Sequence, residues 1–240
     1  MLETPLTVQD VEGLLKDKDL SIEDRTMLLI AYSLLFNSDI ETNIKGAYAL
    51  YINNLKFNDT TKSRMTKDID VSFKVSSDKL ENAFLAWANK TGVKIEKIHK
   101  TQNNNLSIKL LVNPIDENLN IIQNEEFIKI RIDCMASEDA NRSVMSLNDI
   151  IKTKLNLKLA IKDRRLKDLI DVMNTLELYY SDGISKKDLL DMIEDKTLIE
   201  KFTEEDINSC YSQTESFHNP NISKEKAKYY VSSFSSMILG

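Results

Sequence analysis

The 240-residue chain has little of what secreted, zinc-binding or membrane proteins depend on. Its two cysteines are too few for a disulfide framework, and its two isolated histidines exclude a standard zinc site of histidine and cysteine ligands. No stretch reaches the ~18 apolar residues of a membrane span. The first residues also lack the basic start and apolar run of a signal peptide. We therefore expect a cytoplasmic protein that does not contact a membrane.

Glycine and proline are scarce as well, with five and three residues. So few helix breakers predict abundant helix. The hydrophobic fraction of 42% and the charged fraction of 29% are typical of a folded globular chain. The net charge is −6, whereas proteins that coat duplex nucleic acid carry a basic excess, so any nucleic-acid contact must be local.

Residues 68–73 are the most informative stretch, because polar and apolar side chains alternate along them. Alternation predicts a strand with Asp68 and Asp70 on one face, roughly 7 Å apart at ~3.3 Å per residue. Carboxylates this close repel each other unless a cation or a proton lies between them. Asp-x-Asp pairs at strand ends are common, but at the edge of a cleft such a pair is what a divalent-metal phosphoryl-transfer site requires.

Two other segments have the same character. In residues 43–50 a short apolar entry leads to Gly46, after which Ala47 opens a helical pattern. Glycine lets backbone N–H groups approach a phosphate, and a helix N-terminus favours negative charge. Residues 127–134 alternate again and place a third carboxylate, Asp133, near the end of a second strand.

These residues together resemble the polymerase-beta-type nucleotidyltransferase superfamily. Within it, residues 45–50 and 66–71 are similar to the AbiEii/AbiGii toxin family of bacterial abortive-infection and toxin–antitoxin systems. That family usually has a lysine and two small residues before a helix, then arginine–x–x–aspartate–hydrophobic–aspartate. Here Arg64 lies four residues before Asp68, and alanine replaces the usual second glycine or serine at position 47.

The resemblance continues in the second half of the chain, where Lys154 stands at the position of a family lysine. Residues 164–172 are similar to the family's arginine–aspartate–x–x–aspartate motif. Without the resemblance, a lysine in an apolar helical stripe either snorkels to solvent or points at an anion. Asp168 and Asp171 are equally open to two interpretations: surface ion pairs at i,i+4 spacing, or a polar face that closes the cleft.

We expect an α+β protein of two domains. A nucleotidyltransferase-type mixed β-sheet with flanking helices would occupy residues 1–142, and a helical bundle would occupy residues 143–240. Helices are predicted over residues 8–16, 22–36, 47–53, 78–90, 147–160, 163–180, 186–201, 204–214 and 224–238. Strands are predicted over residues 68–75, 93–99, 106–112 and 126–134, with a further short strand before Gly46. An inserted polar loop is predicted over residues 54–63.

The resemblance implies transfer of a nucleoside monophosphate from an NTP to a hydroxyl acceptor, with release of pyrophosphate. The catalytic residues and the ligands of Mg²⁺ or Mn²⁺ would be Asp68, Asp70 and Asp133. The NTP would lie between the domains and contact Lys45, Gly46, Ala47, Lys154, Arg164 and Asp168. The acceptor would be RNA such as tRNA, or a protein, and a cognate antitoxin would restrain the activity.

Two alternatives stay open at this stage. The first is a nucleotidyltransferase of the aminoglycoside-modifying type, with the same chemistry and a small-molecule acceptor. The second is a nucleotide-binding regulatory module that keeps the fold without turnover, which Ala47 and the inserted loop mildly favour.

Overall fold

The computed structural model describes residues 4–17, 19–56, 66, 68–101, 103–123, 125–160, 166–179, 186–200, 202–219 and 222–239. These residues form two compact units, one of residues 4–56 and 66–146 and the other of residues 147–239. The predicted division into functional domains at residue 142 stays a prediction. No helix in the described ranges combines the length and apolar character that crossing a bilayer demands.

The first unit is built on a six-stranded mixed sheet, as the α+β prediction requires. Its described strands are β1 (Thr42–Lys45), β2 (Asp68–Phe73), β3 (Lys94–Lys100), β4 (Leu106–Val112), β5 (Ile128–Ala136) and β6 (Ser143–Val144). Their spatial order is β3-β4-β5-β2-β1-β6. The β2–β5 and β1–β6 pairs are parallel, and the other three pairs are antiparallel.

The described residues of this unit also form four helices: α1 (Val8–Leu15), α2 (Ile22–Phe36), α3 (Gly46–Lys56) and α4 (Leu80–Thr91). The apolar sides of the central strands are buried, with Ile69, Val71 and Ile132 fully enclosed. Each such side chain contributes up to about 1.5–3 kcal/mol by leaving water. Because these residues alternate with polar ones, the opposite face of the sheet carries the charged side chains.

Most helix ends follow the sequence signals, and two predictions need correction. Thr7 forms a capping box at α1, and Gly92 ends α4 in the left-handed region at φ +69°. The helix predicted from residue 78 begins two residues later, since residues 77–79 form a turn and α4 begins at Leu80 without a side-chain cap. The predicted loop over 54–63 is wrong at its start, because α3 continues to Lys56; its remaining residues lie outside the described ranges.

The second unit is helical. Its described helices are α5 (Leu147–Ala160), α6 (Leu166–Tyr179), α7 (Lys186–Asp191), α8 (Thr197–Glu200), α9 (Glu204–Glu215) and α10 (Lys224–Ile238). The single helix predicted over 186–201 is wrong, because Asp195 Oδ1 accepts hydrogen bonds from Thr197 N and Oγ1 at 3.0 and 2.7 Å. Such local side-chain bonds compete with the helical ladder and start a new helix instead.

Candidate functional site

Three of the predicted site residues are direct neighbours in a row that crosses β1, β2 and β5. Lys45 is the register partner of Asp70 on the antiparallel strand β1, and Asp133 is the partner of Asp70 on the parallel strand β5. Register partners point to the same face of a sheet and lie about 4.8 Å apart in the hydrogen-bonding direction. All three side chains are partly exposed. The structure therefore brings together a lysine and two carboxylates that lie far apart in sequence.

Gly46 follows Lys45 directly and starts α3 with φ +66°, in the left-handed region that favours glycine. A Cβ atom at this position would overlap with Asp70 Oδ2. The carboxylate of Asp70 thus lies against the backbone where the strand turns into the helix. Only glycine satisfies both the backbone conformation and the close approach. Ala47 occupies the next position in the first turn of α3.

Lys45 is a partly desolvated cation. Burial lowers its pKa below the ordinary value, and the nearby carboxylates of Asp139 and Asp70 oppose this effect without outweighing it. Partial desolvation strengthens the attraction between an ammonium group and an anion, because water screens the charges less. Lys45 is therefore well suited to a phosphate group that reaches this edge of the sheet.

Asp133 is held by a contact that sequence reasoning missed. Arg131, two residues earlier on the same face of β5, donates its Nε–H to Asp133 Oδ1 at 3.1 Å and to Ser107 Oγ at 3.0 Å. The arginine and aspartate side chains are 49% and 31% exposed, so the pair contributes little to stability. The i,i+2 spacing on a strand was the available signal for this contact. Arg131 therefore orients the Asp133 carboxylate without burying it.

The three predicted metal ligands lie on the neighbouring strands β2 and β5, but their carboxylates do not converge on one point. Across the part of the chain that the structure describes, no three carboxylate, imidazole or thiol groups lie close enough together to hold a metal ion. Asp68 precedes Asp70 by two residues on the same face of β2 and is the register partner of Arg131. Carboxylate oxygens are the hard ligands that Mg²⁺ and Mn²⁺ prefer, so the chemistry of the donor set fits such an ion.

The segment between β5 and β6 lies beside the row. Asn43 Oδ1 accepts hydrogen bonds from the backbone N–H groups of Asn141 and Ser143, at 2.8 and 3.3 Å. This segment carries Asp139, which acts on the pKa of Lys45. The domain boundary predicted at residue 142 falls within this segment, and its hydrogen bonds to Asn43 of β1 were not predicted.

The predicted site residues of the helical unit form a buried ion cluster. Lys154 Nζ lies 3.1 Å from Asp168 Oδ1 and 2.9 Å from Asp171 Oδ2. The three residues are 7%, 5% and 2% exposed, so Lys154 does not snorkel to solvent and the two aspartates do not lie on the surface. Arg164 lies outside the described residues. The predicted contacts of Lys154, Arg164 and Asp168 with an NTP stay predictions.

The charges in this cluster compensate each other. Burial acts to lower the pKa of Lys154, but Asp171 and Asp168 outweigh burial and raise it above the ordinary value. Lys154 therefore keeps its proton in the interior and neutralises part of the carboxylate charge. A buried pair of this kind is costly to break, because removing one partner leaves an uncompensated charge away from water. The cluster links α5 to α6.

Comparison with known proteins supports the fold, although the sequence identity is low. No protein-family model matches the chain, and no curated protein matches it. The structure is similar to that of a candidate nucleotidyltransferase from H. pylori, with a TM-score of 0.51 and 15% identity over 96% of this chain and 94% of that one. It is also similar to JHP933 from Helicobacter pylori, with a TM-score of 0.49 and 15% identity over 96% of this chain and 91% of that one. The first similarity shows that the chain has the fold of that H. pylori protein, and the AbiEii family stays a prediction.

Proposed function

We propose that this chain is a nucleotidyltransferase that moves a nucleoside monophosphate from an NTP to a hydroxyl group. The row of Lys45, Asp70 and Asp133, with Gly46 at the start of α3, is the observation that carries the proposal. Adjacent carboxylates on neighbouring strands repel each other, and like charges directly opposite destabilise a sheet. A ligand that uses the charges, here a phosphate with its counterion, would offset this cost.

In this proposal the residues around Gly46 receive the triphosphate. The backbone N–H groups of the first turn of α3 lie at a helix N-terminus, which favours an anion, and Gly46 adds no side chain there. The ammonium group of Lys45 binds a phosphate oxygen beside them. Positioning and charge supply most of the rate in such a reaction, because the protein itself forms no covalent bond.

Asp133 accepts the proton of the acceptor hydroxyl in the proposed reaction. The hydroxyl oxygen forms a bond to the α-phosphorus, the bond from that phosphorus to its bridging oxygen breaks, and pyrophosphate leaves with the electron pair. Arg131 keeps the Asp133 carboxylate on the same face as Asp70. The carboxylates of Asp68, Asp70 and Asp133 would have to converge to hold Mg²⁺ or Mn²⁺, which would neutralise charge on the phosphate oxygens.

The finer parts of the proposal come from the resemblance to AbiEii-type toxins. RNA such as tRNA, or a protein, would be the acceptor, and a cognate antitoxin would restrain the activity. A small-molecule acceptor and a non-catalytic nucleotide-binding module are the alternatives.

Incubation with each α-³²P-labelled NTP and Mg²⁺ or Mn²⁺ tests the proposal, with total RNA, casein and an aminoglycoside mixture as separate acceptors. Label on RNA or protein, together with pyrophosphate release, supports the lead proposal; label on the aminoglycosides alone supports the first alternative. Saturable NTP binding without pyrophosphate release, under all conditions, supports the second.

Asp70→Asn is the diagnostic variant, because it removes one charge at nearly constant shape. We expect it to lower transfer by at least about 100-fold, in line with the loss of a single charged catalytic group. Glu117→Gln is the matched control, since Glu117 is exposed in the turn between β4 and β5, away from the row. Full transfer by the Asp70→Asn protein would remove the site assignment. A thermal shift with Mn²⁺ in the wild type that is absent in Asp70→Asn reports metal binding independently of activity.

A further inference from the structure

The open face of the sheet carries a second charged row beside the proposed site. Lys97 on β3 is the register partner of Lys109 on β4, and Lys109 is the partner of Arg131 on β5. Three cations therefore stand side by side on neighbouring strands, about 4.8 Å apart from one to the next. All three are exposed. Asp68 of β2 ends the same row.

This arrangement costs the fold stability, because like charges directly opposite each other on a sheet repel. Lysines on an edge strand have a ready explanation, since they prevent pairing with another chain, and β3 is an edge strand. That explanation fails for Lys109 and Arg131. Their strands, β4 and β5, are paired on both sides and expose no edge. Arg131 is explained in part by its pair with Asp133, but Lys109 needs another explanation.

Further groups on this face suit an anionic ligand. Lys129 lies two residues before Arg131 and is exposed. The Lys94 ammonium lies 5.5 Å from the centre of the Phe127 ring, and Phe127 is 47% exposed at the entry to β5. An exposed aromatic ring beside cations is the combination on which single-stranded nucleic acids stack while their phosphates are neutralised.

The lysines of this face have no carboxylate partners that would explain them. Lys94, Lys97, Lys109 and Lys129 form no ion pair with a carboxylate of the described residues, whereas Arg131 pairs with Asp133. Opposing charges lie at the borders of the face: the aspartates of β2 at one end, and the exposed Glu125 and Glu126 just before Phe127. Glu96, in the bulge of β3, adds one more exposed carboxylate at the outer edge. The cations between these two ends are therefore available to an external anion.

We propose that the open face of β3, β4 and β5, defined by Lys94, Lys97, Lys109, Lys129 and Phe127, binds a single-stranded polynucleotide. A patch of this kind reconciles a net charge of −6 with nucleic-acid binding, because the positive potential is confined to one face. The row leads toward Asp133, so the end of a bound strand would be the acceptor; this last step rests on the proposed function, whereas the binding itself does not.

Fluorescence anisotropy with a labelled 12-nucleotide RNA and a DNA of the same sequence tests the proposal, each at 50 and 200 mM NaCl. Four phosphate contacts to a single strand predict a loss of affinity of about 50-fold between these salt concentrations. Lys97→Gln/Lys109→Gln leaves two contacts and should lose only about 7-fold. Lys16→Gln/Lys79→Gln is the matched control, because both lysines are exposed in the same unit but lie off this face. It should behave as the wild type.

The relative affinities for RNA and DNA show which strand chemistry the face prefers, and tighter binding of either strand in the wild type than in Lys97→Gln/Lys109→Gln supports the proposal. No strand binding at 50 mM NaCl overturns it, and so does an equal salt dependence in wild type and variant. Binding to anionic phosphatidylserine vesicles but to neither strand would overturn it in favour of a membrane surface. Asp70→Asn separates the two proposals, since strand binding should survive in it even if transfer is never observed.

Discussion

Gly46→Ala is expected to test the close approach between α3 and β2 on which the proposed site depends. The substitution places a side chain at φ +66° and a Cβ atom into the space of Asp70 Oδ2. The backbone term costs about 1–2 kcal/mol for a residue other than glycine in the left-handed region. Overlap in a packed region adds about 1–3 kcal/mol as neighbours shift. We expect a total destabilisation of about 2–5 kcal/mol and loss of nucleotidyl transfer.

The chain offers a control that isolates the backbone term. Gly92 has nearly the same conformation, φ +69°, but a Cβ atom there meets nothing within 4 Å. Gly92→Ala should therefore cost only the ~1–2 kcal/mol of the left-handed region. Gly13→Ala, in the interior of α1 with free space around it, should instead stabilise the protein by about 0.5–1 kcal/mol.

Urea unfolding followed by tryptophan fluorescence measures these changes in the unit that contains the sheet. Trp87 is the only tryptophan of the chain, it is 1% exposed, and it belongs to α4 beside the sheet. In an Asp70→Ala background the contacts with Oδ2 and Cγ disappear and only a 3.3 Å contact with Cβ of residue 70 remains, so Gly46→Ala should then cost little more than Gly92→Ala. Equal destabilisation by Gly46→Ala and Gly92→Ala in the wild-type background would contradict the close approach of Asp70 to Gly46. So would an extra cost of Gly46→Ala that Asp70→Ala does not relieve.

Other predictions concern the two lysines with shifted pKa values. Lys154→Met should lower the free energy of unfolding of the helical unit by about 3–5 kcal/mol, because Asp168 and Asp171 lose their buried cation. Adding Asp168→Asn and Asp171→Asn should recover part of this loss. A loss below about 1 kcal/mol for Lys154→Met alone, measured by urea unfolding with far-UV circular dichroism, would contradict the role of the ion cluster. Since the pKa of Lys154 is raised above 10.5, its stabilising contribution is complete below that pH and is lost as the pH rises beyond it, an alkaline transition that Lys154→Met should lack. Burial lowers the pKa of Lys45, so NTP affinity measured by anisotropy should begin to fall at a pH below 10.5, whereas Lys45→Arg should hold its affinity to higher pH.

Much of the local structure could be predicted because it depends on short-range periodicity. β4, α5 and α10 have the predicted bounds of 106–112, 147–160 and 224–238. Their patterns of apolar residues are unbroken and their ends carry ordinary signals. The break in the predicted helix 186–201 was missed because it depends on side-chain hydrogen bonds to the backbone. Asp195 bonds Thr197, and Asn156 of α5 accepts from Glu194 N and donates to Met192 O.

The candidate site was predictable in its residue types and only partly in its geometry. Alternation along a strand assigns each side chain to a face, but it does not say which residue of another strand will lie beside it. Asp70 therefore had no visible partner in the sequence, and its neighbours Lys45 and Asp133 follow from the pairing of β2 with β1 and β5. Burial of Asp168 and Asp171 was missed for a related reason. A helical wheel assigns charged residues to solvent. It cannot show that a lysine of another helix, Lys154 of α5, compensates the charges of the buried aspartates.

The same limit explains why the amino-acid composition does not predict the proposed polynucleotide-binding face of β3, β4 and β5. The net charge of −6 and the scattered positions of Lys97, Lys109 and Lys129 suggest an ordinary solvated surface. Antiparallel pairing of β3, β4 and β5 then sets these cations next to one another on one face. Repulsion between them is largest in the free protein and falls when phosphates intervene, so strand binding should stabilise this sheet in proportion to the cations it neutralises. Adding RNA should raise the midpoint of urea unfolding measured by Trp87 fluorescence, and this rise should be absent in Lys97→Gln/Lys109→Gln. The result would show that a bound strand relieves the charge repulsion within the row.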